Sequence, residues 1–395
     1  MTVDFKVIIV GRGMMGAAAA RHLSGMIEGV ALIGPSEPIE RKSHHGVFAS
    51  HYDEARITRT FDDNMVWATL ATRSLDRYRD IEAKSGISFF SEAGCLFAGP
   101  PPQPGQGYLG RALQISEALD LDVETLTPAA LRDRFPQFAI DPSFNGYFEA
   151  RRAGHVNPRA LVRAQTRLAE QGGVTVIDAT VASVCDEGAF VEVHAGGTRY
   201  TAERVLVAAG GFSNFGDLLP APVDIRVAAR TVAFFELGDR EMSVFANMPS
   251  AIVFGERDED HVYILPPVRY PDGKTYLKLG GDLETRSFKT LEDVGAWFRS
   301  DGDPAERDLL VSTALQLMPS LAGCPTSSAP CVASFTASAY PYVGYTDSPR
   351  IAVLTGGNFV AAKSSDELGR LGAVVMTQGW LGAEDFGREL TPIFR

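Results

Sequence analysis

The pattern of apolar and polar positions is most regular at the start of the chain. An apolar run, Val7-Ile8-Ile9-Val10, leads into Gly11-Arg12-Gly13-Met14-Met15-Gly16, then an alanine-rich stretch from Ala17 to Leu23, then a second apolar run, Val30-Ala31-Leu32-Ile33. This order predicts a strand, a tight glycine turn, a helix and a second strand. Further on, Trp67, Leu70, Leu75, Tyr78 and Ile81 recur near helical spacing and predict a long amphipathic helix over Met65 to Ser85. Phe89 to Phe97 reads as strands, Gly99 to Gln106 as a Pro/Gly-rich loop, and Ile115–Leu119 and Ala129–Arg134 as short helices. A second amphipathic helix is expected over Arg159 to Gln171, with Asn157 as its N-cap and Pro158 as its first residue. Short strands follow at Val174–Ile177, Thr180–Val184, Phe190–His194 and Arg199–Thr201. A buried strand, Arg204 to Ala209, then ends in Gly210-Gly211. Residues 224 to 282 read as a meander of strands. The last 65 or so residues return to strands, a glycine turn at Gly356-Gly357 and a final helix from Ser365 to about Trp380.

These elements imply an α/β (α+β) chain in which a nucleotide-binding domain is assembled from separated pieces. Segments 1–90, 145–220 and 325–395 are assigned to it, and 91–144 and 221–324 to an inserted β-rich, substrate-binding domain. The glycine turn sits in the strand–turn–helix context of a dinucleotide site. The first glycine permits the turn, the second lets a pyrophosphate approach the backbone, and the third lets helix pack on strand. Free N–H groups of the helix N-terminus, from Met14 and Met15 onward, would face the phosphates. The polar stretch from Ser36 to Asp63, with His44, His45, Ser50, His51, Arg56 and Arg59, is too irregular for core and is expected to line a site.

Composition narrows the function classes. The chain has 395 residues, 45% hydrophobic and 22% charged, with a formal net charge of −12. That balance is globular, and its sign argues against nucleic-acid partners. No apolar run reaches the length of a membrane span, and Asp4 and Lys6 flank a segment too short for a signal core, so a cytoplasmic protein is expected. Cys95, Cys185, Cys324 and Cys331 show neither CxxC nor metal-ligand spacing, so no metal site is expected.

The motifs, in their order along the chain, resemble the D-amino-acid oxidase superfamily of FAD enzymes, and within it the monomeric sarcosine oxidase and N-methyltryptophan oxidase branch. The matching stretches are Ser50-His51 leading to Arg56-x-x-Arg59, Gly154-His155-Val156-Asn157-Pro158, Val207-Ala208-Ala209-Gly210, Leu277-Lys278-Leu279-Gly280, Cys331 with Thr336, and Lys363 before the last helix. The resemblance implies a Rossmann-like FAD-binding domain, with Gly11, Gly13, Met14, Met15, Gly16, Ser50, His51, Arg56 and Gly210 around the cofactor. It implies that Arg59 and Lys363 hold a substrate carboxylate, against the alternative of surface salt bridges. It implies that Lys278 promotes reaction of reduced flavin with oxygen, against a solvated lysine on the outer face of a strand. Cys331 is the implied covalent attachment point of FAD, against a buried structural thiol.

Some positions depart from that branch. Gly34 stands where an acidic residue would accept the adenosine ribose, with Ser36 or Glu37 as substitutes from the next turn. Asp282 replaces a histidine and Ala333 an aromatic, and the turn before Lys363 has fewer glycines. Asp282 reads either as a partner for a cationic substrate group or as a turn residue. The expected function is FAD-dependent oxidation of an amino acid or N-alkyl amino acid to an imine, with O2 reduced to H2O2, by a monomer or small homo-oligomer. The alternatives are an FAD dehydrogenase with another acceptor and a non-catalytic flavin-binding partner protein.

Overall fold

The computed structural model describes residues 2–255, 261–283, 286–382, 386 and 388–395. Among these the strands form three sheets, of eight, nine and three strands. The first sheet is built on the opening pattern. Phe5–Val10 lies between Val30–Ile33 and the long strand Thr198–Val207, parallel to both. Thr175–Ile177 extends the parallel set on one side and Ile351–Thr355 on the other. Val30–Ile33 and Ile351–Thr355 are buried throughout, as strands covered on both faces must be. Thr198–Val207 pairs through its first half with the hairpin strand Val191–Ala195 and through its second half with Ile351–Thr355. The parallel strands end at Val10, Ile33, Ile177, Val207 and Thr355, so the segments that follow them gather along one edge of the sheet.

Two helices pack against each other on this sheet, Met14–Ser24 and the C-terminal Ser365–Gln378. Small residues set their separation. A Cβ on Gly369 would lie 2.4 Å from Ala18 Cβ and 2.6 Å from Ala19 N. One buried carboxylate, Asp366, ties the first turn of the last helix to three others. It accepts hydrogen bonds from Arg21 Nη2 at 2.7 Å, Arg77 Nε at 2.6 Å and Gln165 Nε2 at 2.8 Å. Arg77 lies on Met65–Ser85, whose bounds match the periodicity, and Gln165 on Pro158–Gln171. Asn157 caps the latter through Ala160 N at 2.8 Å, as its sequence implies.

The second sheet contains Ile225–Glu236, Thr275–Gly281, Val262–Arg269, Ser250–Val253 and Cys95–Gly99 in that order, and segments 91–144 and 221–324 supply most of it. Asn145–Glu149 pairs into it too, and Thr326–Thr336 pairs with Ile225–Phe235 along its whole length. The third sheet is small: Arg56–Thr58 and Phe90–Ser91 flank Gly154–Val156. It fixes the backbone just ahead of Arg59.

Four helical segments differ from the expectation. The helix expected at Ile115 begins at Gly107, and Gly107–Ala118 is entered from the Pro/Gly-rich loop. The meander holds a helix, Asp239–Phe245, and the chain after it holds Leu291–Arg299 and Pro304–Leu317. In Pro304–Leu317 the apolar residues are spread around the helix, so periodicity gives no signal.

Replacing Gly369 with valine is expected to lower stability by about 1–3 kcal/mol, because the helix pair has no room for a branched side chain. Thermal or urea denaturation checks this, and an unchanged midpoint would contradict the packing described.

Candidate active site

A cavity of about 1090 Å³ opens where the parallel strands end. This is the place, outside the carboxyl ends of the strands, where open α/β sheets bind ligands. Its walls come from distant segments: Gly11–Met15, Val47–Tyr52, Ala208–Phe212, Cys331–Ser334, Gly356–Gly357 and Phe359–Lys363. Of the residues singled out by sequence, Gly11, Gly13, Met14, Met15, Ser50, His51, Arg56, Arg59, Gly210, Cys331 and Lys363 line it. Gly16 and Lys278 do not.

The glycine turn is shaped by close contacts. Gly11 has φ +111°, and a Cβ there would lie 2.4 Å from Ala208 O. A Cβ on Gly16 would lie 1.8 Å from Gly11 O, so Gly16 acts by packing, not by facing the cavity. A Cβ on Gly13 would meet nothing within 4 Å, which leaves open space beside the helix start. Gly13 is the N-cap of Met14–Ser24 and offers no side-chain acceptor, so the first N–H groups of that helix are left for a ligand.

The missing acid at Gly34 has a physical reason. A Cβ there would lie 2.5 Å from Arg12 N. A carboxylate stands at the end of the neighbouring strand. Asp178, directly after Thr175–Ile177, accepts from Ser36 N at 2.9 Å and from the Ser36 hydroxyl, and Arg12 Nη2 donates to Ser36 Oγ at 2.7 Å. Glu37 is engaged elsewhere, by Arg159 Nε at 2.7 Å and Nη2 at 2.6 Å. Sequence reasoning missed Asp178; its signal was an acid ending an apolar strand, Val174 to Ile177.

At the other end, Arg59 and Lys363 meet, and both are buried, at 6% and 2% exposure, unlike surface salt-bridge residues. Asp62 Oδ2 accepts from Arg59 Nη1 at 2.8 Å and from Lys363 Nζ at 2.8 Å. Arg59 Nη2 donates to the Tyr108 hydroxyl at 3.0 Å, and its guanidinium lies 5.3 Å from the Phe97 ring centroid. Burial pushes the Lys363 ammonium down to about 8, although Asp62 opposes that shift. Lys363 Nζ also reaches Trp67 O at 3.4 Å, and the Tyr78 hydroxyl donates to Lys363 O at 3.1 Å.

Lys278 is buried on its strand at 1% exposure, with Leu277 and Leu279 also buried on the opposite face. It is therefore not a solvated outer-face residue. Its Nζ donates to Asp53 Oδ2 at 2.6 Å and to Ala55 O. Burial pushes its pKa well below the usual lysine range, and the nearby Arg56 guanidinium lowers it further. Asp53 also accepts from Arg56 Nη1 and, through Oδ1, from the Tyr270 hydroxyl at 2.8 Å. Arg56 Nη2 lies 3.8 Å from Cys331 Sγ. Cys331 is half-buried and faces the cavity, so it is not sequestered in the core. Sequence reasoning named both lysines but neither of their carboxylate partners.

The turn before Lys363 takes left-handed backbone without extra glycines. Asn358 and Phe359 have φ +45° and +64°. Asn358 holds this shape, since its N–H donates to Ser334 O at 2.8 Å and its Nδ2 to Gly356 O at 2.8 Å. Asp282 is exposed at the cavity wall, and Ala333 also lines it.

The model of the family described as FAD dependent oxidoreductase matches residues 6–373. The chain belongs to that family. It is 24% identical over 255 residues to a monomeric sarcosine oxidase of Arthrobacter sp. (strain TE1826), a match covering 63% of each chain. It is 25% identical over 282 residues to an N-methyl-L-tryptophan oxidase of Yersinia pestis (strain Pestoides F), covering 70% of each. The match thus spans somewhat under two thirds of the sarcosine oxidase's length. Among solved structures, NikD, an unusual amino acid oxidase essential for nikkomycin biosynthesis, shares the fold at TM-score 0.76 and 19% identity. That likeness covers 100% of this chain and 98% of NikD. An L-proline dehydrogenase from P. horikoshii shares it at TM-score 0.76 and 14% identity, over 96% and 95%.

The family's cofactor, FAD, fits the residues present. The cavity has the size, Gly13 leaves a cradle that any side chain would fill, and the helix start presents free donors. His51 Nδ1 is buried without a partner at the wall, and burial pushes that ring down to about 3, so it meets a ligand as a neutral imidazole. Among the described residues, no helix is long and apolar enough to cross a membrane.

Substituting alanine at Gly16 is expected to leave the purified protein with less than about half its flavin, because the added methyl must displace the Gly11 carbonyl from the turn. The ratio of flavin to protein absorbance checks this, and full loading would show that the turn tolerates the shift.

Proposed function

We propose that this family member oxidises the C–N bond of an amino acid or N-alkyl amino acid to the imine, with O2 reduced to H2O2. The observation that carries the reading is the buried Arg59–Lys363 pair at the cavity wall. Two cations with unspent donors, facing a cavity that fits FAD, are suited to a substrate carboxylate. The guanidinium gives directional hydrogen bonds and the ammonium a compact charge. Anchoring the carboxylate there fixes the amine-bearing carbon relative to the rest of the cavity, which is an orientation effect. The same positive field disfavours an ammonium on the substrate and so favours the neutral amine that can be oxidised. When bound, FAD supplies the two-electron chemistry.

Bound FAD would have its pyrophosphate held by the Met14 end of the first helix, and Ser36 with Asp178, next to the cavity-lining Gly34 and Pro35, would offer acceptors to the adenosine ribose. Arg56 and Cys331 lie together where a covalent link through sulfur would form. Lys278 supplies a cation that favours charge developing on oxygen. One observation favours a second reading. Lys278 is bound by Asp53 and does not face the cavity, as befits a dehydrogenase that passes electrons to another acceptor.

A panel of amino acids and N-alkyl amino acids mixed anaerobically with the holoenzyme tests the reading. At least one is expected to bleach the flavin and to yield H2O2 on admission of air. If none bleaches it, the proposal fails. Lys278→Met is expected to slow aerobic reoxidation by roughly 10²–10³-fold, the usual loss for a preorganised charge. A reoxidation rate close to wild type would favour the dehydrogenase reading.

Carboxylate affinity is expected to depend on pH with a definite sign. Lys363 is charged below about 8 and loses its charge above it, while Arg59 stays charged throughout. Binding of a monocarboxylate inhibitor should therefore weaken as pH rises through that value, and Lys363→Met should remove the dependence. Titrations followed by flavin difference spectra read this out; a flat profile in the wild type would count against Lys363 as a ligand.

A further inference from the structure

Arg59 and Lys363 face the cavity, yet both are already bonded to one carboxylate. Asp62 is 3% exposed and is not part of the cavity wall, so it stands behind the two cations. Its position is fixed from both sides. Oδ2 takes the two cationic donors at 2.8 Å, and Oδ1 accepts from Asn64 N at 3.2 Å. Asn64 in turn caps the helix Met65–Ser85.

The charge count follows directly. Arg59, Lys363 and Asp62 together carry one positive charge; Glu149, close by, subtracts from it only as far as it is ionised, and burial pushes its carboxyl pKa up. Donors are left as well: Arg59 Nε is buried without a partner, and the second contact of Lys363 is the long one to Trp67 O at 3.4 Å. Among the described residues, the other charged groups at this end add no free cation. Arg111 Nε and Nη2 are engaged by Asp63 Oδ2, at 3.2 and 2.5 Å. Glu149 is buried close by and accepts from Thr60 N at 3.0 Å and Phe61 N at 3.3 Å.

We infer that Asp62 sets the charge this site accepts: with Asp62 in place, the Arg59–Lys363 pair takes a ligand with one carboxylate and turns away one with two. The inference rests on the carboxylate-binding reading above and extends it to the substrate class, amino acids whose side chains are not acidic. A monocarboxylate brings the cluster to neutrality. A second carboxylate on the same small ligand adds a negative charge that no free cation among the described residues at this end can match, in a partly desolvated cavity beside Asp62. Discrimination then comes from a built-in repulsive element more than from a new contact. Asp62 touches neither ligand nor cofactor in this account; it is a positioning and specificity residue.

Propionate and malonate test this, because they differ by the exchange of a methyl for a carboxylate. Each is titrated into the holoenzyme at neutral pH by calorimetry and by flavin difference spectra. The wild type is expected to bind propionate at least about tenfold more tightly than malonate, since like charges at close range are strongly penalised. In Asp62→Asn the ratio is expected to shrink to within about threefold or to invert, because malonate tightens as the site gains a positive charge. Asp62→Glu keeps the charge and is expected to keep the preference. Equal binding of the two ligands by the wild type overturns the inference and leaves the carboxylate reading standing. So does an unchanged ratio in an Asp62→Asn protein with native melting temperature and flavin content. Binding of neither ligand by the wild type overturns the carboxylate reading and the inference together. If the Asn variant does not fold, the wild-type ratio alone decides.

Discussion

A lysine taken out of water must be neutralised or discharged, and this molecule buries two of them beside one cavity. The loop from Asp53 to Asp62 supplies both anions. Asp53 meets Lys278 across 225 positions of sequence and Asp62 meets Lys363 across 301. Removing either carboxylate would leave an uncompensated buried charge, a far larger penalty than the intact pair contributes in stability. The loop is itself held by its backbone. Arg56–Thr58 pairs with Gly154–Val156, and the Glu149 carboxylate accepts the N–H groups of Thr60 and Phe61. The second sheet, the third sheet and the short turn Ala361–Ser364 ahead of the last helix all meet at these ten residues.

Each anion also changes what its lysine can do. Asp62 shares one oxygen between Lys363 and Arg59, so the pair acts as a single site of reduced charge. Asp53 shares one oxygen between Lys278 and Arg56 and gives the other to Tyr270. A lysine fixed in this way has a set position and a partly cancelled field. Its effect on a reaction partner then depends as much on Asp53 as on its own charge.

Much of the first sheet and its helices was legible in sequence, because the information is local. The Gly11–Gly16 turn lies between two apolar runs, Met65–Ser85 keeps one period over its whole length, and Asn157-Pro158 announces its helix with a cap and a fixed φ. The cations of the site were legible through the order of motifs. The anions were not. Asp53 and Asp62 lie in an aperiodic stretch, and what makes them functional is a partner hundreds of residues away. Gly34 and Asp178 show the same limit. A close approach by the Arg12 backbone removes the acid from one strand, and pairing with the next strand returns one. Pro304–Leu317 was missed for a different reason, since its apolar residues do not mark one face, although Asp303-Pro304 is a fair start signal.

The cavity draws its walls from segments spread over most of the chain, the last of them Phe359–Lys363. A ribosome delivers those segments in order. Until residues 351–378 have left the ribosome, the glycine turn lacks the strand Ile351–Thr355 and the helix Ser365–Gln378 that complete its surroundings. Completion of the cavity is thereby tied to the appearance of these late segments. A nascent chain leaves that cleft open on one side until this strand and helix dock, and a product cut short before residue 356 lacks the wall from Gly356 to Lys363.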